Sequence, residues 1–295
     1  MQAAPAVPPT DTDLDQVRRA YAERLRAAAR LKSNALVEAL ARVQRERFLG
    51  PGPWQIVDVA MPTGLKYRTT PDADPKHLYA DVLVAIDASR SLNNGQPSGL
   101  ASWIDALQLR SGERVIHIGC GTGYYTAILA EIVGAAGRVV GIDIDAQLAH
   151  QARQNLTGYS QVEVWYGDDF PFEPASADAV FVNAGATHPL PKWLDALNLG
   201  GRLLIPLTAT GPESFGSGGM FLLLRTRAGF TATCVSGVAI YPCIGVRDPN
   251  LNLELWKRRG TERQVHSFRR DAHKNDTTCW LHTPYGCFST LFLGT

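Results

Sequence analysis

Val115-Ile116-His117-Ile118-Gly119-Cys120-Gly121-Thr122-Gly123-Tyr124 reads as a buried strand, a glycine turn and the start of a helix. The apolar run before Gly119 has the length of a strand buried on both faces. Glycines in the turn permit positive φ and let a ligand approach the backbone closely. The helix that follows presents free N–H groups at its N-terminus.

Working outward, the chain alternates strand and helix. Arg114–Ile118, Arg138–Ile142, Val162–Tyr166, Ala179–Val182 and Arg202–Pro206 read as strands, with Tyr125–Val133, Ala146–Leu156 and Trp193–Leu197 as helical stretches between them. Such alternation implies a parallel sheet with helices on both faces, an α/β fold. A helix over about 98–109 precedes this region. Beyond Thr208 the pattern turns to β, with Gly219–Arg225, Thr231–Ser236 and Val238–Tyr241 as strands. Upstream, residues 1–15 are rich in Ala, Pro and Asp and read as a loose tail. Gln16–Arg30 carries apolar residues at helical spacing. Ser33 or Asn34 caps a second helix ending near Arg45. Residues 54–98 read as irregular. Four segments result: the tail 1–15, an N-terminal helical and loop region 16–107, a ligand-binding domain 108–246 and an extension 247–295.

Asp143 stands about twenty residues after Gly123, at the end of the second strand, where a carboxylate can bind ribose hydroxyls. A dinucleotide loop has the spacing G-x-G-x-x-G, but here the last position is Tyr124. The spacing G-x-G-x-G suits S-adenosylmethionine, which has no pyrophosphate. Gly167-Asp168-Asp169 follows the third strand, where Asp168 or Asp169 would accept a hydrogen bond from the adenine amino group. His117, Gly119, Cys120, Gly121, Gly123, Tyr124, Asp143, Ile144, Gly167, Asp168, Asp169 and Asn183 are the expected cofactor-site residues.

Composition narrows the function classes. The 295 residues are 45% hydrophobic with a formal net charge of +1, so no strong field draws the chain to nucleic acid. No apolar run approaches the roughly 18–20 residues that span a bilayer. Cys120, Cys234, Cys243, Cys279 and Cys287 form no C-x-x-C pair and no disulfide framework. Reduced thiols and the lack of a signal-peptide pattern suggest a cytoplasmic protein.

The residues also resemble a known family over about 17–246. Leu40-Ala-Arg-Val-Gln-Arg-Glu-Arg-Phe48, Leu78-Tyr-Ala-Asp81, Gly95-Gln-Pro97, the turn at 119–124, Gly167-Asp168, Leu199-Gly-Gly-Arg-Leu-Leu-Ile-Pro206 and Val238-Ala-Ile-Tyr-Pro242 are similar to the motifs of the protein-L-isoaspartate O-methyltransferases. The resemblance implies a Rossmann-like class I methyltransferase with a mostly parallel seven-stranded sheet. It implies S-adenosylmethionine as methyl donor and a carboxylate acceptor on a peptide or small molecule. Catalysis would then rest on alignment of the reactants. The chain departs from the family at two positions. Gly95 stands where the family has a serine whose hydroxyl belongs to the substrate site, which leaves Asn94 or Gln96 as replacement donors. His117 stands where the family has Glu, near the cofactor's ammonium group.

His188, after the fourth strand, is a candidate general base for a hydroxyl or amine acceptor. Two further activities are weighed: an RNA methyltransferase, and an S-adenosylmethionine-binding protein without turnover. The basic run Lys257-Arg258-Arg259, Arg263, Arg269-Arg270 reads as a solvated surface. His266, His273, Cys279, His282 and Cys287 bear metal-compatible side chains, but strand alternation over Cys279-Trp-Leu-His282 would separate them. No metal centre is expected, and 247–295 reads as a small packed appendage.

Overall fold

A computed structural model describes residues 11–61, 64–168, 170–171, 173–211 and 215–293. It divides into two compact units, residues 1–105 and 106–295.

The first unit holds helices α1 (Asp11–Ala29) and α2 (Asn34–Arg42), and strands β1 (Gln55–Met61), β2 (Gly64–Thr69), β3 (Ala85–Asp87) and β4 (Leu92–Asn93). Helix α1 starts at Asp11, so the helix takes in the last five residues assigned to the tail. Ser33 is the cap of α2, accepting a hydrogen bond from Leu36 N. The region expected to be irregular contains two antiparallel pairs, β1–β2 and β3–β4. Arg45 is fully buried. Its guanidinium donates to the carbonyls of Leu78 (2.7 Å) and Val82 (2.9 Å), while Glu46 accepts from Tyr79 Oη and Arg18. Two of the stretches that carry the family resemblance thus lock onto each other.

Helix α3 (Pro97–Ala106) leads to the second unit. There β5 (Arg114–Ile118), α4 (Tyr124–Val133), β6 (Arg138–Asp143), α5 (Ala146–Asn155), β7 (Val162–Tyr166), β8 (Ala177–Val182), α6 (Pro191–Asp195), β9 (Leu197–Thr210), β10 (Gly216–Thr226), β11 (Gly229–Ile240), α7 (Pro249–Lys257), β12 (Ser267–Arg269), β13 (Cys279–Thr283) and β14 (Gly286–Ser289) follow in order. They build one sheet in the order β13-β14-β12-β11-β10-β9-β8-β5-β6-β7.

Among the described residues the sheet therefore has ten strands, not seven. The expected seven form the continuous run β11 to β7, and three C-terminal strands extend it. Nor is it mostly parallel: β9-β8-β5-β6-β7 pair in parallel, whereas every pair from β13 to β9 is antiparallel. The order runs outward through β5, β6 and β7, then returns to the other side of β5 for β8 and β9. Right-handed crossovers then put α4 and α5 on one face and α6 on the other. The reversal between β5 and β8 is a switch point, and crevices open at the carboxyl ends of the strands beside one.

The extension is not an appendage. Leu251, Leu255, Val265, Phe268, Trp280, Leu281 and Phe288 belong to the same buried cluster as Val180, Leu203, Ile205, Phe221 and Phe230. Arg202 ties down the other end of the sheet. It bonds both Glu113 carboxylate oxygens (3.0 and 2.9 Å) and the carbonyls of Leu107 and Asp178.

Candidate active site

The glycine turn lies at the carboxyl end of β5, and four of its backbone donors bond within the protein. Gly119 N and Cys120 N donate to the carbonyl of Ile142 (2.8 and 3.1 Å), and Gly123 N to that of Cys120 (3.0 Å). Gly121 N donates to Asp143 Oδ2 at 2.7 Å. A loop built for pyrophosphate keeps such donors aimed at the anion. Here the N–H groups of Gly119, Cys120, Gly121 and Gly123 turn inward, which suits a nucleoside without phosphates. Gly123 has φ +94°, and a Cβ there would come within 2.8 Å of Leu156 Cδ1. The positive φ favours glycine there, and a Cβ would also press on the Leu156 side chain.

Asp143 ends β6 and is nearly buried. Its second oxygen accepts from Asp145 N (3.0 Å), and its carbonyl accepts from Gly167 N (2.9 Å). Asn183, after β8, donates from Nδ2 to the carbonyl of Gly119 (3.5 Å) and from its backbone to Ile118 O (2.8 Å). One hydrogen-bonded chain thus links the carboxyl ends of β8, β5, β6 and β7. Beside it, Ile144 is 43% and Tyr166 54% exposed. Exposed large apolar groups next to a fixed carboxylate offer a flat purine a surface and its ribose an acceptor. Asp168 is exposed, and its carbonyl accepts from Lys192 Nζ at 2.7 Å. Asp169 lies outside the described residues.

Three expected cofactor residues sit inside rather than on the crevice. His117 is fully buried, its ring stacked on Phe181 with centroids 5.0 Å apart and its Nδ1 2.9 Å from Thr126 Oγ1. Its Nε2 is buried without a hydrogen-bond partner. Alternation along β5 turns this side chain toward α4. Burial pushes its pKa down to about 3, so the neutral ring braces the turn from behind and carries no charge. Tyr124 is 1% exposed and packs edge-on against Tyr125. Cys120 is buried, and burial, then the Asp143 carboxylate, hold its thiol well above its usual range.

His188 is nearly buried. Its Nδ1 lies 2.9 Å from Thr187 Oγ1, which also accepts from Asp248 N, and its ring packs on Tyr285 at 5.3 Å. Burial lowers its pKa, against a smaller upward pull from Asp248. The loop that carries it is pinned by Arg247, which donates to Gly185 O (2.9 Å), Thr208 Oγ1 and Thr210 Oγ1. No sequence signal marked Arg247 or Tyr285, because both reach this loop through long-range packing. In the first unit, Gln96 Nε2 donates to Asp81 Oδ2 (3.2 Å), and Asn94 Nδ2 is buried without a partner. Gly95 between them has φ +76°.

A family model described as protein-L-isoaspartate(D-aspartate) O-methyltransferase matches residues 16–215. Protein-L-isoaspartate O-methyltransferase 1 of Archaeoglobus fulgidus is 34% identical over 202 residues, 67% of this chain and 82% of its own. The protein-L-isoaspartate O-methyltransferase of Ignicoccus hospitalis is 28% identical over 235 residues, 78% of this chain and 99% of its own. Among solved structures, a protein-L-isoaspartate O-methyltransferase gives a TM-score of 0.57 at 20% identity, over 86% of this chain and 72% of that one. A Plasmodium falciparum protein assigned to the same activity, solved with S-adenosyl-L-homocysteine, gives 0.56 at 16% identity, over 76% and 97%. The fold and these matches define a class I methyltransferase whose methyl donor is S-adenosylmethionine. The chain belongs to the protein-L-isoaspartate O-methyltransferase family.

Proposed function

We propose that the chain methylates a carboxylate on a peptide, and that isoaspartyl groups are poor acceptors for it. S-adenosylmethionine supplies an electrophilic methyl group when bound. The Asp143 carboxylate holds the ribose, Ile144 supports the adenine, and the turn 119–123 lies along the nucleoside. Asn183 and Asp168 border the same strand ends. The family match carries the carboxylate acceptor. A carboxylate is already ionised at neutral pH and needs no base, so His188 serves as a positioning group. The resemblance assigns Asn94 and Gln96 to the acceptor side, and the unpartnered Nδ2 of Asn94 is a donor suited to a carboxylate oxygen.

The weak isoaspartyl activity follows from Gly95. The position lacks a hydroxyl, and its φ of +76° is one that a serine adopts only under strain. Labelled S-adenosylmethionine should therefore put base-labile label into a peptide or protein fraction of cell extract, with much less in an isoaspartyl peptide. Label in RNA, or label that survives base, would refute the carboxylate acceptor. Gly95→Ser should raise turnover of the isoaspartyl peptide while lowering stability by roughly 1–2 kcal/mol. No gain in turnover from a folded variant would place the specificity elsewhere.

A further inference from the structure

At the far edge of the sheet, β13 and β14 do not alternate simply. Cys279 pairs with Ser289 and Leu281 with Phe288, so Trp280 is the extra residue of a bulge. The bulge shifts the alternation by one position. Cys279 and His282, three residues apart, come to the same face, and Cys287 lies directly opposite His282. The other face carries Trp280, Leu281 and Phe288 into the core. The segment between β12 and β13 brings in His273. Cys279 Sγ then lies 3.3 Å from His273 Nε2 and 3.9 Å from His282 Nδ1. One ligand atom from each of His273, Cys279, His282 and Cys287 lies within 4.8 Å of all the others. His266 stays apart, stacked on Phe292.

We propose that His273, Cys279, His282 and Cys287 form a structural tetrahedral site for a zinc ion. Zn–S bonds of about 2.3 Å and Zn–N bonds of about 2.0–2.1 Å place tetrahedral ligand atoms about 3.3–3.8 Å apart; Cys279 Sγ lies 3.3 and 3.9 Å from the two histidines, and an ion would draw the remaining atoms in from within 4.8 Å. Two thiolates and two imidazoles select zinc over the hard cations, and two thiolates balance its charge. The orientation of His273 is already fixed for the task. Its Nδ1 lies 2.9 Å from the carbonyl of Asp271. A carbonyl only accepts, so the proton sits on Nδ1 and the lone pair of Nε2 faces the cluster. This is the usual outer contact of a metal-bound histidine. A simple thiol–imidazole pair would account for two groups, but four converge.

Four protein ligands leave no open coordination position, so the site is structural. It would clamp the β12–β13 connection to the last hairpin. The turn of that hairpin carries Tyr285, which packs on His188.

The test uses the full chain, purified without chelator from cells supplied with zinc. Metal analysis should find about one zinc per chain. Exchange with cobalt should give the strong visible bands of a tetrahedral site and a thiolate-to-cobalt charge-transfer band, and Cys287→Ser should weaken that band. Cys279→Ser should lower zinc affinity by more than about tenfold. In case that variant misfolds, mercurial titration of the wild-type chain should release the zinc in step with modification of two thiols. Sub-stoichiometric zinc together with no tetrahedral cobalt spectrum would overturn the site. So would a Cys279–Cys287 disulfide in the freshly purified chain.

Discussion

Asp143 shows how one carboxylate serves two purposes. It caps Gly121 N in the glycine turn and is the group proposed to hold the ribose. Asp143→Ala removes charge-assisted hydrogen bonds and should weaken S-adenosylmethionine binding by about tenfold to a hundredfold in calorimetry. Unchanged affinity would move the nucleoside elsewhere. His117 makes a different demand. The folded chain keeps its ring neutral down to about pH 3, whereas the unfolded chain protonates it below about 6.5. Between those values the unfolded state binds the extra proton, so stability falls as pH drops, by up to about 1.4 kcal/mol per pH unit. Urea unfolding between pH 7 and 5 should show this slope in the wild type, and a shallower one by about that amount in His117→Gln. Equal slopes would mean that His117 is not held neutral. His117 was legible as a departure from the family, but not as a buried brace. Its neighbours Phe181 and Thr126 come from other elements, and a single strand does not reveal them.

Among elements, local signals were read well and pairings poorly. Strands β5 to β8 and helices α4 and α5 lie within a residue or two of expectation, because buried apolar runs are written in adjacent residues. The glycine turn was equally plain. At Gly123, glycine answers both to a φ of +94° and to the approach of Leu156. Gly123→Ala should lower stability by about 1–2 kcal/mol from backbone strain alone, visible as a lower Tm, with the same fall in the absence of cofactor. A fall seen only with cofactor bound would assign the glycine to ligand contact instead. The sequence marks β13 as a strand at Cys279-Trp-Leu-His282, but not the hairpin β1–β2 or strands β12 and β14, because short strands are defined by partners distant in sequence. The bulge at Trp280 reversed the alternation argument outright: one inserted residue turned an expected separation of Cys279 and His282 into convergence.

At the scale of the molecule, the extension 247–295 is part of the sheet. Its strands cover the edge of β11, and its side chains complete the core around Phe221 and Phe230. A chain ending at residue 246 would expose that edge and those rings, and open edges beside apolar surface aggregate. Such a chain should elute as aggregate in size-exclusion chromatography with light scattering, and a monomer with full thermal stability would show the extension to be dispensable. The matched family region ends at residue 215, so these last strands are built on a core that the motifs describe only in part. The self-contained glycine turn has a consequence for competition. ATP and NAD present the same adenosine. Because Gly119, Cys120, Gly121 and Gly123 already donate to Ile142, Asp143 and Cys120, a triphosphate tail gains no anchor at these positions. The turn thus favours an adenosine without phosphates through bonds it makes to itself.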